Sequence, residues 1–206
     1  MKILNLYAGI GGNRKLWGDE HKITAIEYKP EIAKIYQDFF PKDKVIIADA
    51  HQYLLEHFKE FDFIWSSPPC PTHSRIRKCF VGKNNDGQNK PIFPDMKLYE
   101  EILFLQGYFN GKWCVENVRA WYEPLIKPQE FGMHYFWSNF LIVPIEIKSR
   151  EHHGSIEDLQ DVKGFDLLDY SGIDKRIALR NCVEPEVGKQ ILEYAINPIE
   201  TQQSLI

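Results

Sequence analysis

The residue in this sequence best suited to covalent chemistry is a cysteine placed directly after two prolines, Pro68-Pro69-Cys70. Proline fixes φ and stiffens the chain, so the thiol stands at the end of a rigid approach. Further along, Trp113-Cys114-Val115-Glu116-Asn117-Val118 reads as a strand that carries a carboxylate and an amide to its end. A thiolate beside an acid suits covalent addition to an electron-poor ring, with the acid supplying a proton. The ordinary alternative is a structural thiol, because free cysteine packs as a small hydrophobe; Cys79, Cys114 and Cys182 read that way. The four cysteines show no C-x-x-C pairing, which argues against a zinc site or a disulfide framework.

A second group of residues suits ligand binding. Ala8-Gly9-Ile10-Gly11-Gly12 follows an apolar strand, where small residues let the backbone approach a ligand. Its G-x-G-G spacing does not match the dinucleotide fingerprint G-x-G-x-x-G, so a tight turn without a ligand stays open as a reading. Glu27 and Asp49 end the next two strands. In an open α/β sheet, ligands bind outside the carboxyl ends of the strands. A carboxylate after the second strand suits a ribose diol, and Asp49 suits an adenine amino group. The alternative for either one is an ordinary surface acid.

The elements that must position these groups alternate strand and helix, as a doubly wound parallel sheet requires. Strands are expected at Lys2–Tyr7, Ile23–Glu27, Val45–Ala48, Phe61–Trp65 and Trp113–Val118. Helices are expected at Lys15–Gly18, Pro30–Phe39, His51–Phe58 and Asp95–Tyr108, the last capped by Asp95. A hairpin fits Tyr135–Ile147, residues 148–176 resist assignment, and a helix over Glu186–Ala195 completes the pattern. The loop from Pro71 to Pro94 is long, and between Pro71 and Pro91 five cations (Arg75, Arg77, Lys78, Lys83, Lys90) face one anion, Asp86. Such a run is ordinarily a solvated loop; its place directly after Cys70 suggests a surface for phosphates.

With 206 residues, 44% hydrophobic and 26% charged, the chain reads as one soluble α/β domain. No run of about 18 apolar residues is present, as a membrane helix would need. The opening residues are strand-like rather than signal-like, so the expected location is the cytoplasm. A net charge of −4 gives no global sign of a nucleic-acid binder, and His152-His153 reads as a solvated loop rather than a metal site.

Taken in order, Leu6-Tyr7-Ala8-Gly9-Ile10-Gly11-Gly12, Pro68-Pro69-Cys70 with Ser74, Glu116-Asn117-Val118, and Arg180-Asn181-Cys182-Val183-Glu184-Pro185 resemble the motifs of the DNA cytosine-5 methyltransferase family. The resemblance covers Lys2 to about Val118 and the C-terminal helix, and is strongest to the short members found in phages and prophages. It implies a class I S-adenosylmethionine-dependent methyltransferase fold, a Rossmann-like three-layer α/β sandwich in a single domain. Tyr7, where the family has Phe, would line the S-adenosylmethionine pocket with Ala8, Gly9, Gly11, Gly12 and Pro69. Glu27 would bind the ribose and Tyr28 would lie beside the adenine. Asp49 and Ala50 would hold the adenine edge, and Asn181 would close the pocket. Cys70 would add to C6 of a flipped cytosine and Glu116 would engage N3. Ser74, Arg75, Arg77, Lys78 and Asn117 would face the DNA.

Two departures follow from the same resemblance. The family carries Gln-x-Arg-x-Arg after the Glu-Asn-Val strand, whereas no arginine lies between Arg119 and Arg150 here. An ungapped alignment on Phe131-Gly132 puts Trp137 and Asn139 at the arginine positions, with Asn139 a donor to the base carbonyl; the alternative is a β-strand that packs Trp137 and Phe140 in the core. The family also inserts a large target-recognition domain; only residues 148–176 are available here as a candidate vestige of one, so specificity is short, comes from a protein partner, or is largely lost. The resemblance also implies a place in restriction-modification. Two other readings stay open: a tRNA cytosine-5 methyltransferase with the same core, and a non-catalytic DNA-binding subunit. Thymidylate-synthase-like chemistry also uses a Pro-Cys thiol, but the Gly9–Gly12 turn argues for an adenosyl cofactor.

Overall fold

Seven strands form one sheet in the computed structural model, which describes residues 1–75, 93–144 and 154–199. The order is β3-β2-β1-β4-β5-β7-β6, with β1 (Lys2–Leu6), β2 (Lys22–Glu27), β3 (Lys44–Ile47), β4 (Phe63–Ser66) and β5 (Lys112–Val118) parallel. β6 (Gln129–Phe131) and β7 (His134–Ser138) form an antiparallel hairpin that extends the sheet beyond β5. Helices cover both faces, so the central strands are buried throughout: all four residues of β4 and Trp113–Asn117 of β5 are shielded. Near-continuous apolar runs are the expected signature of such strands.

The parallel register fixes the functional edge. Leu6 pairs with Ile26 and with Ser66, and Ser66 pairs with Val115. Tyr7, Glu27, Ser67 and Glu116 therefore leave the sheet on one side. Helix α1 (Pro30–Phe39) starts with Pro30, which suits a first turn. Asp49 caps α2 (Ala50–His57), accepting from the Gln52 amide at 2.9 Å, and a 3-10 turn Phe58–Glu60 leads into β4. Helix α3 (Lys97–Tyr108) packs Leu98, Ile102 and Leu105 on the sheet. Helix α6 (Pro185–Ile196) packs Val187, Ile191 and Leu192 on the other face, against Trp65 and Phe136.

Three expectations are corrected. The segment after the glycine turn, expected as a helix over Lys15–Gly18, is a series of turns. Buried Arg14 is pinned there by Asp43 at 2.8 Å and Trp17 donates to the Gly188 carbonyl, which holds the chain against α6 in place of a helical ladder. The hairpin lies at residues 129–138, turning at Gly132, ahead of the expected Tyr135–Ile147. The helix expected from Asp95 begins at Lys97; Asp95 accepts from the Lys97 amide but Met96 holds the N-cap position.

The segment that resisted assignment holds two short helices, α4 (Ile156–Lys163) and α5 (Lys175–Arg180). A capping box of Ser155 and Asp158 starts α4. Leu159, Phe165 and Leu167 are buried with Ile35, Tyr36 and Phe40, so the described part of this segment is built into the core beside α1. No helix among the described residues is long and apolar enough to cross a membrane.

Candidate active site at the carboxyl edge

The Cys70 loop is stitched along the segment that follows β5. The Asn117 amide donates to the Pro68 carbonyl at 2.9 Å, and its own oxygen accepts from the Val118 amide. Trp121 donates its indole N–H to the Thr72 carbonyl and its backbone N–H to that of His73, each at 3.0 Å. Ser74 pairs with Ala120 in an isolated bridge, and Arg75 Nε donates to the Ala120 carbonyl at 3.1 Å. Within the loop, the Cys70 carbonyl accepts from the amides of His73 and Ser74. Buried His73 bonds through Nδ1 to the Tyr122 hydroxyl, and burial holds its imidazole pKa down, which favours the neutral ring. Hydrogen bonds of this number fix a loop that sterics alone would leave variable.

This stitching brings the half-buried Cys70 thiol into the field of Glu116. Burial pushes the thiol up, and the Glu116 charge pushes it further. Glu116 is itself buried, which raises its carboxyl pKa, while His134 and a hydrogen bond with Ser67 pull it down. His134 Nε2 lies 3.7 Å from Glu116 Oε1. Ser67 in turn accepts from the Trp65 indole at 2.8 Å. Burial thus raises a carboxyl whose field reaches the Cys70 thiol, an arrangement that suits a proton donor near a nucleophile.

On the cofactor side, Glu27 is oriented by backbone donors. Gly9 N–H donates to Oε2 at 3.0 Å and Lys29 N–H to Oε1 at 2.9 Å, leaving lone pairs on both oxygens for a diol. Gly9 has φ +56 and open space where a Cβ would stand. Gly11 and Gly12 are small for another reason. A Cβ on Gly11 would meet the Phe40 ring at 2.3 Å, and one on Gly12 the Val183 carbonyl at 2.6 Å. Of these glycines, Gly9 thus has open space where a side chain would stand, while the other two accommodate protein atoms. Asp49 and Tyr28 are exposed, Asp49 as the α2 cap, and buried Ala50 begins that helix. Asn181 ends α5, beside the Cys182-Val183 segment that closes on Gly12. Pro69 is exposed next to Cys70, and Ala8 is buried.

Tyr7, at φ +56, uses its hydroxyl to donate to Glu101 at 2.6 Å. Glu101 is fully buried on α3 and also takes bonds from Ser66 Oγ (2.6 Å) and His51 Nδ1 (3.1 Å). That hydrogen bond, absent from a phenylalanine, explains the tyrosine and links the glycine turn to the strand that carries Cys70. The bond to Glu101 holds the His51 pKa up, favouring an imidazolium–carboxylate pair.

Asn139 is corrected. It accepts from the Trp113 amide at 3.1 Å and donates to the Gly111 carbonyl at 2.9 Å, at the amino end of β5. There it borders a cavity of about 250 Å³ that also includes Trp113 and Trp137, so it does not reach Glu116. Trp137 is buried and donates to the Ile126 carbonyl. Asn117 is bound to its own loop and Arg75 is bonded through Nε to Ala120, so both serve the loop's anchoring. Arg77, Lys78, Cys79 and the rest of the basic stretch, with His152-His153, lie outside the described residues.

Residues missed from sequence are Ser67, His134, Glu101 and the pair Lys163–Glu184. Lys163, from the unassigned segment, is 1% exposed, and its Nζ donates to the Cys182 carbonyl at 2.7 Å and to Glu184 at 2.8 Å. A lysine at an apolar helix position followed by Gly164 carried no sequence signal of that role.

Comparisons with known proteins bear on the same elements. Residues 1–99 match the family model described as C-5 cytosine-specific DNA methylase. No curated protein matches. The methyltransferase EhMeth of Entamoeba histolytica superposes with a TM-score of 0.58 at 10% identity, covering 96% of this chain and 98% of that one. DNMT2 of Spodoptera frugiperda gives 0.46 at 24% identity over 66% of this chain, which spans 49% of that protein. An S-adenosylmethionine-dependent methyltransferase of Agrobacterium tumefaciens gives 0.40 at 10% identity, over 59% and 40%. The mixed seven-stranded sheet with flanking helices is the fold this chain shares with the EhMeth structure.

Proposed function

We propose that this chain is a cytosine-5 methyltransferase that transfers the methyl group of S-adenosylmethionine to C5 of cytosine in DNA. The observation that carries this reading is the Cys70 loop fastened to β5 by Asn117, Ser74 and Trp121, with its thiol in the field of the buried Glu116 carboxyl. The match of residues 1–99 to a cytosine-5 DNA methylase model supports it. The open space at Gly9, beside the backbone-oriented Glu27, fits the adenosyl group, with Glu27 on the ribose and Ala50 and Asn181 at the pocket's walls.

The target base leaves the stack at a cost of a few kcal/mol. Cys70 gives up its proton to water, and Sγ bonds to C6 as the C5=C6 pair shifts through the ring toward N3. Neutral Glu116 supplies a proton to N3, which takes up the electron pair displaced through the ring, and until that transfer its carboxyl holds no charge to oppose the thiolate. S-adenosylmethionine, when bound, supplies the electrophilic methyl group to C5. Water then takes the C5 proton, the C5=C6 bond reforms, Sγ departs as the thiolate, and Glu116 recovers the N3 proton.

Incubation with methyl-labelled S-adenosylmethionine and unmodified duplex DNA, in parallel with single-stranded RNA, followed by nucleoside analysis, tests the reading. Label in 5-methyl-2′-deoxycytidine is expected. Label confined to 5-methylcytidine would move the substrate to RNA, and unlabelled nucleic acid in both arms would overturn the activity.

A further inference from the structure

We propose that His134 is the positioning residue of the cytosine chemistry, holding the Glu116 carboxyl in place against the base from the neighbouring strand β7. The inference rests on the proposed reaction and assigns a role that no residue of the expected arginine pattern fills.

The register requires the contact. β5 and β7 are antiparallel, with Val118 opposite His134 and Glu116 opposite Phe136. Residues 116, 118, 134 and 136 therefore share one face, and the diagonal neighbours Glu116 and His134 lie within reach of each other. Their side-chain atoms are 3.7 Å apart, with side-chain exposures of 8% and 19%. Trp137 points to the opposite face, into the cluster with Tyr99 and Tyr135, and Asn139 is spent at the amino end of β5. Neither can serve Glu116; His134 can.

The surroundings of His134 hold its ring between two carboxyl groups. From β5 it faces Glu116. From the start of α6 it faces the charge of Glu184, whose carboxyl is held below its usual range by Lys163 of α4 and by His134, against the opposing effect of burial. Glu116 is thus gripped from both flanking strands, by Ser67 at the end of β4 and by His134 on β7. A carboxyl gripped twice keeps one orientation, and orientation is a condition of proton transfer to a ring nitrogen. The 19% exposure of His134 leaves its ring at the rim of the site, where a base must enter.

The test uses a duplex made with 5-fluoro-dCTP in place of dCTP, so that every sequence context is present. After methyl addition to C5, fluorine cannot leave as the proton does, and Sγ stays bonded to C6 as a complex stable to detergent. Sinefungin binding by calorimetry and thermal melting report the fold and the cofactor pocket independently of activity. Wild-type protein with S-adenosylmethionine should accumulate the complex. His134→Ala should slow its formation about 100-fold, the low end of a general-acid contribution. Sinefungin affinity and the DNA concentration for half-maximal rate should stay unchanged, so that the loss lies in kcat. His134→Arg, which restores N–H donors able to reach Glu116, should recover the rate to within about 10-fold of wild type. If the alanine variant does not bind sinefungin, His134→Asn, too short to reach Glu116, takes its place with the same expected loss. Trapping by the alanine variant at the wild-type rate, a loss confined to KM, or an arginine variant as slow as alanine would overturn the role of His134. Failure of the wild-type protein itself to form the complex would instead overturn the proposed reaction.

Discussion

Lys163→Met tests how the C-terminal segment is tied to the site. Lys163 is 1% exposed and spends its ammonium on two partners, the Cys182 carbonyl at 2.7 Å and Glu184 at 2.8 Å. Methionine keeps the apolar stem and its packing but removes both donors, leaving a buried carbonyl and a carboxylate that have lost their lysine partner. Charge-assisted bonds contribute about 1.5–3 kcal/mol each, and breaking one side of a buried pair costs about 3–5 kcal/mol. Glu184 retains 16% side-chain exposure, so water recovers part of the loss; the expected cost is about 3 kcal/mol, at the low end of that range. In urea denaturation this appears as a lower midpoint at constant slope, and in thermal melting as a drop of roughly 6–12 °C. The double variant Lys163→Met/Glu184→Gln should be more stable than Lys163→Met alone, because the stranded charge is gone. A single variant within 1 kcal/mol of wild type, or a double variant as unstable as the two single losses added, would refute the pairing.

Three further outcomes are expected. Cys70→Ser should abolish methyl transfer and leave sinefungin affinity unchanged, whereas Cys114→Ala, at a buried position, should retain activity in folded protein; turnover by the serine variant would sink the covalent mechanism. Gly12→Ala should destabilise by about 1–3 kcal/mol through overpacking, since its Cβ would stand 2.6 Å from the Val183 carbonyl and 2.8 Å from the Cys182 Cβ; an unchanged urea midpoint would contradict that packing. Burial raises the Glu116 carboxyl above its ordinary value of 4.5, so its contribution is most favourable below that value and is lost as pH rises through the folded-state pKa. Glu116→Gln should accordingly melt above wild type near neutral pH, with the gap closing below pH 4.5; a gap that is constant with pH would show that the carboxyl is not held neutral.

What the sequence determined by itself is local chemistry and alternation. Pro30 and Pro185 mark helix starts because proline suits a first turn, and α1 and α6 begin there. The apolar runs at β1, β4 and β5 declare buried parallel strands, and in a parallel sheet the residue after each run must emerge on one edge. Glu27, the Cys70 loop and Glu116 were legible for that reason. Tertiary structure decided the rest, because antiparallel register and long-range packing leave no local trace. Asn139 fits a gapless alignment, yet the β5–β7 register sends it to the amino end of the sheet and brings His134 to Glu116 instead. Gly11 and Gly12 look like a ligand cradle, but Phe40 and Val183 occupy the space their side chains would need. The turns after Gly12 replace a helix because Asp43 holds Arg14 and Gly188 holds Trp17 from far along the chain. Lys163 reads as a surface lysine until folding buries it on Glu184: a charge tolerates such a place only with a partner, and that partner lies 21 residues away.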